Sequence, residues 1–288
     1  MKNPLFDPVL LTAMPQPSAL PAHPNRMSLH KAPHPLPPSL AALKATLRPL
    51  TTAGVMPFGD DRIDRCLPGG GLPLGQLHEV AATGLDGEAG ALSAAFLIGL
   101  LARMPPPNPI FWIATTRDLH APGLLAYGLD PGRLIIVHTE ADNTVLTAME
   151  IALRTRNTAA VVGEAGRLDR IGSHRLQLAC LRHGVTGFML RRWPYGRKAY
   201  ATETGSVAVT RWHLTSALSV PEGPQELGHP RWQLALTHAR GGQPGHWIVQ
   251  AATEANDAAH PFRVVATLAA SSATPASRHS RRTATGHS

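Results

Sequence analysis

Between Leu77 and Leu190 short apolar runs alternate with longer stretches of helical period. The runs Leu77–Val80, Ile110–Ile113, Leu134–Val137, Ala159–Gly163 and Gly187–Leu190 read as buried strands. Gly90–Met104, Leu119–Tyr127, Asn143–Arg154 and Ser173–Arg182 carry apolar residues at helical spacing and read as helices. Strands separated by helices of this length imply crossovers, hence an α/β fold with a mainly parallel sheet covered on both faces. After Leu190 the rhythm changes. Val207–Trp212, Trp232–Thr237 and Trp247–Gln250 are strand-like without helices between them. They predict a small antiparallel extension at one edge of the sheet.

The flanks follow other rules. Residues 1–38 are rich in proline, which fixes its own φ and removes a donor, so an extended arm is expected. Residues 39–52 predict a short helix, with Ser39 as N-cap and leucines at 40, 43 and 47. Residues 53–204 form the expected core and 205–270 a β-rich extension. The stretch 271–288 is a Ser/Thr/Arg/His tail expected to be disordered.

Composition changes the picture only at a few points. The chain of 288 residues is 43% hydrophobic and 16% charged, enough apolar mass for a real core. Its net charge of +8 rests on arginine and admits anionic partners. Cys66 and Cys180 are too few for a disulfide framework or a cysteine-rich zinc site. The apolar stretch from Ala89 to Ala102 is short of the ~20 residues a bilayer needs, and the N-terminus lacks a signal-peptide apolar region. The expectation is a cytoplasmic protein without a membrane partner.

A parallel sheet makes phosphate binding the first chemistry to test. A glycine-bearing turn stands where it should, with Gly84, Gly87 and Gly90 between the first strand and its helix. A P-loop also needs a lysine and a Ser or Thr after its last glycine. Here Ala91 and Leu92 follow, the lysines are at 2, 31, 44 and 198, and Asp86 and Glu88 lie within the turn. Other signatures fail on spacing. His78-Glu79 lacks the second histidine of a zinc protease, His138-Thr139-Glu140 lacks paired cysteines, and Cys180 with His183 is an isolated pair. Neither a catalytic set, a metal site nor a cofactor is predicted.

The segment Val55-Met56-Pro57-Phe58-Gly59, continuing through Gly69-Gly70-Gly71-Leu72-Pro73-Leu74-Gly75 to Val80, resembles the lead into the ATPase core of RecA recombinases. Ile110–Ile113 looks like the strand ending at the catalytic Glu, Tyr127–Asp130 like the following Leu-Gly-Val-Asp stretch, and Ala160–Gly163 like the Walker B strand. In that alignment Ala91 and Leu92 replace the P-loop Lys-Thr, Thr116 the catalytic Glu and Gly163 the Walker B Asp. Glu164 is the one neighbouring acid. A narrower likeness follows. Arg231-Trp232-Gln233-Leu234-Ala235-Leu236 and Arg240-Gly241-Gly242-Gln243-Pro244-Gly245-His246-Trp247, after Thr210-Arg211-Trp212, resemble the C-terminal half of ImuA proteins, over roughly residues 40–250 in all. These are degenerate RecA/SulA-like proteins of bacterial mutagenesis cassettes. The resemblance implies a RecA-like fold without ATP turnover and a non-catalytic, SOS-induced accessory role in translesion DNA synthesis. The implied partners are an ImuB-like pseudo-polymerase of the Y family and an error-prone C-family DNA polymerase. RecA is a further candidate partner. Competing readings are a RecA-type DNA-dependent ATPase with an atypical P-loop and a SulA-like cell-division inhibitor.

Two surfaces stand out. The stretch from Arg191 to Tyr200 holds four cations (Arg191, Arg192, Arg197 and Lys198), three aromatics that include Trp193 and Tyr195, and no acid. Guanidinium groups neutralise phosphates and rings stack on unpaired bases, so single-stranded DNA is one expected ligand; a partner protein is the other. A solvated hairpin is the bland alternative. Changing the four cations together to Ala is expected to weaken association without lowering the melting temperature. Arg231, Arg240 and Trp247 are a second candidate partner surface, against a hairpin turning at Gly241-Gly242 whose tryptophans pack on the core.

Overall fold

The computed structural model describes residues 54–84, 86–192, 206–221, 223, 228–251 and 262–268. The expected arm at 1–38, the helix at 39–52 and the tail at 271–288 therefore lie outside the described residues. In chain order the elements begin with β1 (Val55–Met56), the one-turn α1 (Asp61–Asp64), β2 (Leu72–Pro73), β3 (Leu77–Ala82) and α2 (Asp86–Ala102). There follow β4 (Ile110–Ala114), α3 (Ala121–Ala126), β5 (Leu134–His138), α4 (Asp142–Ala152), β6 (Ala160–Glu164), α5 (Arg170–His183) and β7 (Thr186–Arg191). The chain then runs through β8 (Thr210–Ala217), β9 (Arg231–Ala239), β10 (Gly245–Ala251) and β11 (Phe262–Thr267).

Among the described residues nine strands form one sheet in the order β11-β10-β9-β8-β3-β7-β6-β4-β5, and β1 pairs with β2 apart from it. From β8 to β5 every neighbouring pair is parallel. β8 to β11 are antiparallel to one another. The sequence pattern thus translates into an α/β fold, with two corrections. The expected antiparallel extension starts with a parallel strand: β8 sits beside β3 in the register His78↔Thr210. Leu134–Val137 is not a buried strand either, because β5 ends the sheet and leaves Ile135 and Ile136 exposed. An apolar run alone does not distinguish an edge from a centre.

Helices cover both faces. One core layer joins α2 (Phe96, Leu97, Leu100, Leu101) and Leu124 of α3 to Trp112, Phe188, Trp212, Trp232 and Trp247. α2 is apolar nearly all round because it lies in this layer across both halves of the sheet. The opposite layer packs α4 (Val145, Met149) and α5 (Leu176, Cys180) on Leu77, Ile113, Val161 and Met189. Burial pushes the Cys180 thiol up to about 12, so it remains a packed thiol. Asp169 caps α5 by accepting from the Gly172 N–H, and Gly184 ends it in the left-handed region at φ +70°. Among the described residues no helix is long and apolar enough to cross a membrane.

Candidate functional site

In a doubly covered parallel sheet, ligands bind beyond the carboxyl ends of the strands. There β3 leads through Thr83 and Gly84 into α2, β4 ends before Thr116, β6 ends at Glu164 and β7 ends at Arg191. Gly84 has φ +126°, a conformation that suits glycine. Gly87 and Gly90 lie inside the first turns of α2, Ala91 is exposed and Leu92 leans on the core.

The chemistry at this edge belongs to charge pairs. Glu164 is buried and collects Trp112 Nε1 at 2.6 Å and Arg192 Nη1 at 3.1 Å. Thr116 Oγ1 lies 3.1 Å from Glu164 and 2.9 Å from Asp118, so its one proton serves a single carboxylate at a time. Arg192 also grips Asp118 with two bonds, of 3.2 and 2.7 Å. Burial pushes the Glu164 carboxyl above its ordinary range, against the pull of Arg192 and Trp112. The hydrogen bonds from Arg192 hold Asp118 below its own. Gly163, which the resemblance to RecA recombinases sets at the Walker B Asp, points the other way: a Cβ there would stand 2.8 Å from Met149 Sδ, under α4. The acid facing α2 is Glu164, because successive strand residues alternate between faces.

On the other face Arg191 donates to Glu79 at 3.2 Å and to the Gly166 carbonyl at 2.8 Å. The second oxygen of Glu79 lies 4.0 Å from Arg211 Nε, an attraction without a hydrogen bond. His213 stands near these groups, and burial lowers its pKa. His78 is a core residue. Its Nε2 lies 2.8 Å from the Pro73 carbonyl, which only accepts, so the proton is on Nε2 and Nδ1 receives the Thr210 hydroxyl at 2.7 Å. Thr210 in turn accepts from Trp212 Nε1 at 2.9 Å. Full burial drives the His78 pKa down to about 4.

These positions redraw the two surfaces expected from sequence. Arg191 and Arg192 are 4% and 7% exposed and committed to carboxylates of the same chain, which corrects their placement on a free cationic loop. The end of β7 carries them inward. Trp193, Tyr195, Arg197 and Lys198 lie outside the described residues. Trp247 is buried as well, so its assignment to a partner surface is corrected: alternation along β10 turns it into the α2 layer. Arg231 is half-buried and donates to Gln250 at 2.8 Å across the β9–β10 pair. Arg240 is exposed and donates to the Val207 carbonyl at 2.9 Å. The Gly-Gly-x-Pro-Gly-x-Trp run is largely architecture. A Cβ on Gly242 would stand 2.2 Å from the Cys66 carbonyl oxygen, and one on Gly245 would meet the Trp247 ring at 2.4 Å.

What sequence reasoning missed is the Glu164–Arg192–Asp118 cluster with Trp112 and Thr116. The available signal was an acid at the end of one strand, Glu164, and an arginine just past the end of the next, Arg192, which adjacency of β6 and β7 brings together.

No family model matches the chain. Two curated relatives, each named Protein ImuA and coming from two strains of Caulobacter vibrioides (NA1000 / CB15N and CB 15), are each 43% identical to it over 228 residues. The alignment takes in 76% of this chain and 92% of the relative. With identity of that level across nearly the whole relative, the chain belongs to the ImuA family.

Proposed function

We propose that this protein works in the ImuA/ImuB mutagenesis system as a non-catalytic accessory factor of SOS-induced translesion synthesis, on a cytoplasmic, RecA-like scaffold kept for binding. The observation that carries this reading is the occupation of the strand-end site by protein charges. Arg192 pairs with both Glu164 and Asp118. A carboxylate that accepts from an arginine and an indole has little capacity left for a metal ion. The turn into α2 offers no lysine to a triphosphate. The working partners on this reading are an ImuB-like pseudo-polymerase and an error-prone C-family DNA polymerase, with RecA and single-stranded DNA as further candidates. Arg197, Lys198, Trp193 and Tyr195 are the proposed DNA- or partner-contacting residues.

The competing reading, a RecA-type ATPase, is favoured by one feature, the carboxylate of Glu164 on the α2 face. Purified full-length protein with magnesium and ATP separates the two. The accessory reading expects no saturable nucleotide binding and no DNA-stimulated phosphate release above ~10⁻³ per second, slow on the scale of enzyme turnover. Faster release that disappears in Glu164→Gln overturns it.

A further inference from the structure

α4 and α5 lie side by side on the sheet, and their inner residues are core. Their outer surface opens a cleft of about 420 Å³, lined by Glu150, Arg154, Arg175, Leu178, Arg182 and His183. One oxygen of Glu150 accepts from Arg154 at 2.6 Å, and the other accepts from Arg175. A single acid thus orients two guanidinium groups, each of which keeps further N–H donors turned to solvent. Arg182 adds a third cation, so three arginines face one glutamate.

The two helices also leave large aliphatic side chains in water. Leu178 in the cleft is 63% exposed, Ile151 on α4 is 62% and Ile171 on α5 is 71%. Positions 171, 175, 178 and 182 share one helical face, so apolar and cationic residues alternate along it. A merely solvated helix face has no use for such a row, whereas clustered exposed apolar residues mark contact surfaces.

We propose that this cleft docks a short acidic segment of a partner protein. Its carboxylates reach Arg154, Arg175 and Arg182, and an aliphatic or aromatic anchor lies against Leu178. Charge decides the occupant. Residues 1–53 contain one acid, Asp7, and residues 269–288 contain none, so neither end of this chain complements the cleft. A second copy brings the same net +8. Nucleic acid would supply the charge, but the one ring in the cleft is the His183 imidazole, and the exposed aliphatic side chain of Leu178 matches protein side chains better than phosphates. The proposal stands apart from the nucleotide question, since the cleft is on the α4–α5 layer and the Glu164 cluster faces α2.

The test is fluorescence anisotropy on the full chain with a labelled acidic peptide of about 15 residues carrying leucines at helical spacing. A second peptide has alanine for each leucine, and a labelled thymidine oligonucleotide is the third probe. Leu178→Glu and Arg182→Glu change solvent-facing positions and should melt like the parent. The expected result is saturable binding of the leucine peptide, weakened about tenfold or more by either variant and by loss of the leucines. Equal binding of the alanine peptide, indifference to both variants, or no saturable binding overturns the proposal. So does oligonucleotide binding lost in the same variants, which makes the cleft a nucleic-acid site. Sedimentation showing self-association abolished by Leu178→Glu overturns it in favour of a copy-to-copy contact.

Discussion

Two groups of arginines sit at opposite ends of the solvent scale. Arg191, the last residue of β7, and Arg192 just after it are interior and pair with the buried carboxylates of Glu79 and Glu164, while Arg192 also holds the exposed Asp118. Arg154 and Arg175 meet Glu150 at the surface with their own side chains largely in water. The chemistry is the same and the energetics are not. Removing a buried partner strands a charge in a medium that solvates it poorly, whereas an exposed pair exchanges one set of water contacts for another. Interior arginines therefore hold the fold, and surface arginines are free to serve a ligand.

The sharpest way to break this contrast is Arg192→Ala. It leaves Glu164 buried without its cation and should destabilise the protein by about 3–5 kcal/mol, read by urea unfolding. Adding Glu164→Gln to that variant should recover part of the loss. An Arg192→Ala protein as stable as the parent would show that the pair is not a structural clamp. For the same reason, the Ala replacement of Arg191, Arg192, Arg197 and Lys198 together should lower the melting temperature. Only the Arg197/Lys198 pair remains a fair test of DNA or partner binding by this stretch.

His78 gives the next largest effect, as a function of pH. Its folded pKa of about 4 lies below the ordinary 6.5, so the unfolded chain takes up the proton first as pH falls. The associated stability, about 3 kcal/mol, is complete above ~6.5 and is lost as pH drops toward ~4. Glu164 acts in the opposite sense, because its raised carboxyl favours the folded state at low pH. The quantity to read is therefore the parent-minus-His78→Gln difference in unfolding free energy at pH 7 and pH 5, which should shrink at the lower pH.

Gly242→Ala should cost about 1–3 kcal/mol, since the added methyl meets the Cys66 backbone and not a yielding side chain. A calorimetric melt unchanged from the parent would show that this turn adapts. At the small end, Arg182→Ala should move stability by less than about 0.5 kcal/mol while still weakening peptide binding at the cleft. A larger loss would place Arg182 among the structural arginines.

Much of the fold was legible because period and strand length carry it. The five core strands from Leu77 to Leu190 and the four helices among them follow from apolar spacing alone. β11 was missed, as Phe262–Thr267 is a short run following residues without strand character. The Arg191–Tyr200 stretch misled for a different reason. Composition showed cations and rings together, but the first two cations belong to a strand end whose neighbours in space are Glu79, Glu164 and Asp118. Those carboxylates come from three separate segments, and spacing along the chain does not bring them near.

Taken alone, the sequence determined the alternation of strands and helices from Leu77 to Leu190, the absence of a P-loop lysine and the glycines of the β9–β10 turn, all of which are local or written in residue identity. Tertiary structure decided which arginines are buried, that Glu164 and not Gly163 faces α2, that Trp247 is core, and that Leu178 stays in water beside three cations. The physical reason is that burial and charge pairing are set by strand order and face. Both depend on how distant segments meet in the sheet.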